Sequence, residues 1–272
     1  MTMEEIDWLD VMSRNYNHPA LILWKSLESR AISSVLDVFH IQSPTLDIGC
    51  GDGKLSKMIF EGGINIGLDL SPELLYESRV NSAFEYYIIA DTQYLPFRAN
   101  SIRFINSIGV LHTIPDILKV LTEINTILLS GGTLCIAQPS DRFKEYLFFS
   151  PLKKIGLKRI YLKYSEWRCN KLRNFHCYDL NKVNNLFKKT NFKMIAQQNY
   201  ISKSSVWIWD FFSIIIYITK ITQIISGHTR AYNIILNKTI KTLKPIIKKI
   251  LRKYFNDQKN TEGAFLIISE KK

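Results

Sequence analysis

The sequence predicts an α/β protein: a seven-stranded, mostly parallel sheet with helices on both faces and a helical insertion before the last strand. From Pro44 to Pro139, short apolar runs alternate with helical stretches, which is the pattern of βαβ units. The first of these runs, TLDI, leads directly into a glycine-rich turn and an amphipathic helix. The chain has 272 residues, 46% of them hydrophobic and 22% charged, with a mean hydropathy of −0.03. That is enough apolar material for one full core, and it excludes a disordered chain.

Taken in order, residues 1–43 read as a helical cover. The opening MTMEEIDWLD is acidic and lacks an apolar run, which argues against a secretory signal. Residues 44–199 read as the core, with strands near 45–48, 64–68, 86–90, 102–108, 132–137 and 192–196, and with a basic link at 141–178. A helical insertion or lid occupies 200–260, and 261–272 returns as the terminal strand of the core, its apolar run at 264–268. Insertions of this length usually carry specificity. Cys50, Cys135, Cys169 and Cys177 are too few and too scattered for a disulfide framework, which fits a reducing cytoplasm.

Charge divides the chain unevenly. Up to Ser140 there are 9 basic and 16 acidic residues, and beyond it 27 and 8. A basic second half suits an anionic partner, either a membrane surface or a nucleic acid. Lysine-rich coding of solvated faces would look the same. In the insertion, Trp207, Phe211, Ile214, Ile218, Ile221 and Ile225 recur at helical spacing, as do Leu236, Ile240, Leu243, Ile247, Ile250 and Tyr254 among lysines. Pro245 is expected to kink or restart the second helix. The two helices can pack as an antiparallel lid, or segment 204–258 can lie on an anionic bilayer as a basic amphipathic element. Asp210 and Lys220 interrupt the apolar stretch, leaving only Phe211–Thr219 uncharged, too short to span a membrane.

The chemistry concentrates in TLDIGCGDGKLSKMIF. Gly49, Gly51 and Gly53 stand at alternate positions after Asp47, where the absence of Cβ atoms lets backbone turn sharply and approach a ligand. Asp69, twenty residues after Gly49, ends the second strand and suits a pair of ribose hydroxyls. A dinucleotide loop of the form G-x-G-x-x-G would need glycine at position 54, where this chain has Lys54.

These residues, followed in order by GLDLSPELL, ADTQYLPF, SIRFINSIGVLHTIPD and LLSGGTLCIAQP, resemble the class I S-adenosylmethionine-dependent methyltransferases, a Rossmann-like group that includes ubiquinone and menaquinone methyltransferases. The resemblance is dense over 44–140 and looser beyond. It implies S-adenosyl-L-methionine as cofactor, with Gly49, Gly51 and Gly53 under the methionine moiety and Asp47 near its amino group. It also implies Asp69 on the ribose, Leu70 against the adenine, and Asp91 with Thr92 at the adenine amine. Asp91 can equally cap a turn, and Asp52 can equally cap the first helix.

His112, just past the fourth strand, lies where acceptor meets methyl group. It is the candidate catalytic residue, either as a base or as a binding group, since methyl transfer rests largely on positioning. The same strand end reads NSIG, which lacks the Pro-Pro-aromatic sequence of methylases acting on nucleic-acid amines. Tyr16, His18, Trp24 and Glu28 fall in a segment expected to cover the cofactor. Cys169, His176 and Cys177 lack a fourth ligand, so no metal site is expected. The implied activity is methylation of a small-molecule or lipid-linked acceptor by a cytoplasmic enzyme, with peripheral attachment to the inner face of the membrane as an option. RNA methylation and an inactive membrane-associated scaffold are the rival readings.

Overall fold

A computed structural model of the chain describes residues 6–36, 41–61, 63–172, 177–226, 244–257, 259 and 261–272. Two helices come first, α1 (Trp8–Asn15) and α2 (Pro19–Leu36). The core then alternates β1 (Thr45–Ile48), α3 (Lys54–Phe60), β2 (Ile66–Asp69), α4 (Pro72–Val80), β3 (Tyr86–Ile89), β4 (Ile102–Ile108), α5 (Ile117–Ile127) and β5 (Leu128–Pro139). Helices α6 (Lys158–Lys171) and α7 (Leu180–Lys189), strand β6 (Phe192–Asn199), helix α8 (Lys203–Ser226) and strand β7 (Ala264–Lys271) complete it. Residues 244–255 are also helical.

The sheet runs β3-β2-β1-β4-β5-β7-β6, parallel except for β7, which is antiparallel to both β5 and β6. All seven expected strands are present. The fifth starts earlier than its apolar run, at Leu128, because Ser130-Gly131-Gly132 does not form a turn. It forms an irregularity within the strand, where pairing with β4 jumps from Ile102↔Leu128 to Phe104↔Thr133 and Gly131 takes φ +73°. Strand order reverses between β1 and β4, so the crevice at their carboxyl ends is where an open α/β sheet binds ligands.

Both faces of the sheet are covered. One apolar cluster joins α1, α2, α3, α6, α8 and residues 244–255, and the other is built on α5 and α7. Local signals explain the helix starts: Ser71, Asp116 and Asp179 each accept an N–H from three residues on.

The insertion departs from the expected register. Among the described side chains of α8, Ser205, Val206, Ile208, Trp209 and Asp210 are buried; Trp207 and Phe211 of the predicted stripe are half-buried against the same cluster, while its Ile218 is exposed. Asp210 is held inside by Arg168 Nε at 2.6 Å, by the Phe148 N–H at 2.9 Å and by the Tyr164 hydroxyl. That network turns the helix so that a charged residue faces inward. Over 244–255 the buried pair is Leu251 and Phe255, one residue away from the predicted Ile250 and Tyr254. Ile221, Ile225, Leu236, Ile240 and Leu243 lie outside the described side chains, as does the Ser226-to-243 connection.

Candidate functional site

The site begins where β1 ends. Its last residues are fully buried between β2 and β4, and Gly49 and Cys50 donate to the Leu68 carbonyl at 2.7 and 3.0 Å, folding the loop back over the sheet edge. Gly49, Gly51 and Gly53 all have positive φ, +69°, +56° and +70°. They differ in what surrounds them. A Cβ at Gly49 would lie 2.3 Å from Val110 Cγ2, and one at Gly53 would lie 2.4 Å from Ala83 Cβ, whereas one at Gly51 would meet nothing within 4 Å. Gly49 and Gly53 are therefore glycines because protein atoms crowd them. Gly51 opens on a ligand-sized space.

Acidic side chains surround that space. Asp47 is 3% exposed and accepts from Asn106 Nδ2 at 2.7 Å and from the Ser56 hydroxyl. Both partners are neutral, and burial pushes its carboxyl up to about 6. Asp69 Oδ2 accepts the Gly51 N–H and Oδ1 the Ser71 N–H, each at 2.9 Å. The carboxylate thus straps the glycine loop to β2, and about two of its four lone-pair sites remain for a ligand. Leu70, 67% exposed, sits on the rim. Asp91, half-buried beside Thr92, caps its own turn by accepting the Gln93 N–H at 2.8 Å, the local role that its sequence context also allowed. Asp52 caps the Lys54 N–H at 3.2 Å and pairs with the Lys54 ammonium at 3.0 Å.

A cleft of about 150 Å³ lies over the loop, lined by Asp47, Gly49, Gly51, Asp52, Tyr16 and Lys25 among others. Burial, with Asp52 and Glu28 facing it, pushes the Tyr16 hydroxyl upward, so it stays a donor. Burial likewise keeps the Cys50 thiol protonated. A second cavity, about 190 Å³, adjoins it and is lined by Leu21, Trp24, Lys25, Glu28, Gly109, His112, Pro139, Phe143, Leu172 and Trp209. Trp24, Phe143 and Trp209 pack with ring centroids 5.4 to 5.7 Å apart and form its aromatic wall. Gly109, with φ +70° and no atom within 4 Å of a built Cβ, opens its floor.

The structure thus groups Asp47, Gly49, Gly51 and Asp52 in one cleft and His112 in the other, with Asp69 strapping the first; Leu70 follows β2 and Asp91 and Thr92 follow β3, at the same carboxyl end of the sheet, and these three with Gly53 line neither space. Lys25 lines both spaces. Reasoning from the sequence missed Lys25, although Trp24, Lys25 and Glu28 stand at one-turn spacing on α2. It also missed Phe143 and Trp209, which reach the cavity from separate segments by tertiary packing. His176 lies outside the described residues. Among those described, no group of three metal-ligating side chains gathers. A larger cavity, about 450 Å³, lies apart beside Trp8, Arg30 and Tyr200 and contains none of the loop residues.

Residues 46–136 match the family described as a methyltransferase domain. A malonyl-[acyl-carrier protein] O-methyltransferase of Hamiltonella defensa is 33% identical over 94 residues, 34% of this chain and 36% of that protein. A demethylmenaquinone methyltransferase of Staphylococcus haemolyticus is 25% identical over 181 residues, 61% of this chain and 76% of the relative. The chain therefore spans about a third of the first relative's length and about three quarters of the second's. In structure, a SAM-dependent methyltransferase of Thermotoga maritima superposes with a TM-score of 0.53 at 12% identity, covering 98% of this chain and all of that one, which is a likeness of fold.

Proposed function

We propose that the chain is a class I S-adenosylmethionine-dependent methyltransferase, with S-adenosylmethionine as its methyl donor, and that it methylates a small-molecule or lipid-linked acceptor seated in the aromatic cavity; the methyltransferase-domain match over 46–136 supports the first part of this reading. The observation that carries this reading is the meeting of two spaces of opposite character at Lys25: an acid-lined cleft over the glycine loop and an aromatic cavity beside His112. The names of the relatives, which act on malonyl-[acyl-carrier protein] and on demethylmenaquinone, support acceptors of this class.

The residues present fit the donor. Gly51 leaves room for it, and Asp47, buried without a cationic hydrogen-bond partner among the described residues, suits its positive methionine end. The free lone pairs of Asp69 suit its ribose, while Leu70, Asp91 and Thr92 flank the position for its adenine. Bound there, S-adenosylmethionine supplies a methyl group on a positively charged sulfur. The chain's part is to orient the partners and exclude water, and the buried rings of Phe143 and Trp209 suit the second task. His112 contacts the acceptor and sets its orientation. A calorimetric titration tests the donor assignment. S-adenosylhomocysteine should bind and NAD should not, and Asp69→Ala should weaken binding by about 1.5–3 kcal/mol for each hydrogen bond lost to the carboxylate. Unchanged affinity in that variant would remove Asp69 from the site.

A second reading, peripheral attachment to an anionic membrane, is favoured by one observation. Ile246 and Ile250 are exposed beside exposed Lys249 and Lys253 on residues 244–255, an apolar and basic surface on one helix. Among the described residues no helix is long and apolar enough to cross a membrane.

A further inference from the structure

We infer that Lys25 is the acceptor's anchor, and that the acceptor is an apolar molecule bearing an acidic oxygen, a phenol or a carboxylic acid, bound as its anion. This rests on the proposed methyl-transfer reading and narrows it. Two charged groups from α2 line the aromatic cavity, Lys25 and Glu28, and at first sight they cancel, because Lys25 Nζ lies 2.7 Å from Glu28 Oε2. Their accessibility decides between them. The Glu28 side chain is 1% exposed and the Lys25 side chain 23% exposed.

Three of the roughly four lone-pair sites of Glu28 are also taken. Its Oε1 accepts from Trp24 Nε1 at 3.2 Å and from the Tyr200 hydroxyl at 3.3 Å, while Oε2 takes the lysine. Its remaining site is on the oxygen that already holds the Lys25 ammonium, and at 1% exposure it is closed to an incoming one. The lysine, by contrast, has three N–H donors and spends one on Glu28. Its ammonium is therefore the charge that an acceptor meets. Glu28 acts through it as a positioning residue, and because Trp24 donates to the same carboxylate, the charge and the aromatic wall are fixed by one group.

Selection follows from this arrangement. A protonated amine would meet a like charge in a space walled by Trp24, Phe143 and Trp209, where water screens it less than at an open surface. A phenolate or carboxylate would gain a charge-assisted hydrogen bond while its apolar body lies against the rings. Lys25 also lines the cleft over the glycine loop, so an oxygen it holds would lie on the side of the cavity shared with the proposed donor site. An acceptor held as its anion has no proton to give up as the methyl arrives. That removes the demand for a general base and leaves His112 as an orienting group.

The test uses the full-length chain with and without saturating S-adenosylhomocysteine, which is neutral at sulfur and cannot turn over. The heat of S-adenosylhomocysteine binding, measured first, reports separately on the donor reading. Four probes of similar size are then titrated: 4-nitrophenol, followed by its visible absorbance as the anion forms, benzoate, benzyl alcohol and benzylamine. Expected is binding of 4-nitrophenol with its ionisation shifted to lower pH, binding of benzoate, and little binding of the alcohol or amine. The phenol and carboxylate arms identify which acid is preferred. Lys25→Gln should bind the preferred anion about tenfold more weakly and abolish the absorbance shift, while Lys25→Arg should retain both. Circular dichroism of each variant separates loss of charge from loss of fold. Benzylamine binding as tightly as the anions, or Lys25→Gln folding normally with an unchanged shift, would overturn the inference.

Discussion

Of the three carboxylates that are almost completely buried among the described residues, Glu28, Asp47 and Asp210, the last two make a contrast: Asp47 lines the cleft over the glycine loop, and Asp210 follows Trp209 of the aromatic cavity. Asp210 has a cation inside the protein: Arg168 Nε lies 2.6 Å away, and the Tyr164 hydroxyl and Phe148 N–H complete its shell. Asp47 has only the neutral donors Ser56 and Asn106, and burial pushes it up to about 6. A buried charge needs a partner. Where the fold supplies the cation, the carboxylate ties elements together, as Asp210 ties α8 to α6. Where the hydrogen-bond partners are neutral and a cation, Lys25, only lines the same cleft, the carboxylate keeps a charge that suits the positively charged donor proposed above.

The comparison breaks most visibly at Asp210. Asp210→Ala leaves Arg168, its side chain 11% exposed, without its carboxylate partner, which is expected to cost about 3–5 kcal/mol. Urea denaturation measures it. Below the unfolding transition, affinity for S-adenosylhomocysteine should be unchanged, because the donor cleft shares no residue with this network. Loss of donor affinity in a folded variant would mean that the two regions are coupled and the contrast is false.

Asp47→Asn should go the other way. The carboxyl's folded value, about 6, lies above its ordinary 3.8, so the native state binds the proton more tightly than the unfolded chain does. Its contribution to stability is full below about pH 4 and fades as pH rises through 6, and above that the ionised group costs up to about 3 kcal/mol. Asparagine keeps the shape and removes the charge. The variant should match the natural protein near pH 4, exceed it in stability at pH 8, and bind the positively charged donor more weakly. In the natural protein, donor affinity should rise with pH through about 6, and in Asp47→Asn that rise should vanish. Thermal melts and titrations at both pH values check the two halves of this expectation.

Within the glycine loop the contrast sharpens to single atoms. Gly51→Ala places a Cβ in open space, so its cost is the left-handed backbone alone, about 1–2 kcal/mol. Gly49→Ala has the same backbone and must also displace Val110, adding about 1–3 kcal/mol. Gly49→Ala should therefore melt lower, while Gly51→Ala should stay folded and lose donor affinity. Equal melting temperatures with intact donor binding in Gly51→Ala would show that the open space is not the ligand's.

The glycine loop and the carboxylates beside it, where we propose the donor sits, were legible in the sequence because they are local. Asp47, the three glycines and Asp69 lie within 23 residues, and their chemistry follows from a strand, a turn and a helix in succession. The strand pattern was legible for the same reason: buried parallel strands read as continuous apolar runs. The aromatic cavity proposed for the acceptor was not legible. Trp24, Phe143 and Trp209 come from segments more than 60 residues apart, and nothing in any one of them marks its neighbours. The helical insertion misled in a specific way. Its apolar period suggested a face through Ile218, yet Asp210 faces inward because Arg168, 42 residues away, neutralises it. Periodicity weighs apolar side chains and does not register a buried ion pair.

The smallest expected effect lies at the surface, where residues 244–255 meet the N-terminal cover. Arg252 donates to both oxygens of Asp7 at 2.8 and 2.6 Å and to Asp10 at 2.8 Å, and Lys248 pairs with Asp10 at 2.5 Å. These groups are about a third exposed, so water and salt screen them. Arg252→Gln should cost no more than about 1 kcal/mol, and the difference from the natural protein should shrink as salt is raised toward 0.5 M, roughly where the screening length falls below about 5 Å. The same variant separates the two uses of this helix's charge. Arg252 and Lys248 face the protein, whereas Lys249 and Lys253 are exposed. In vesicle sedimentation with anionic lipid, Lys249→Gln/Lys253→Gln should reduce binding and Arg252→Gln should not. If Arg252→Gln loses as much binding as the double variant, the inward charges serve the membrane too. If neither changes it, the basic helix belongs to the cover alone.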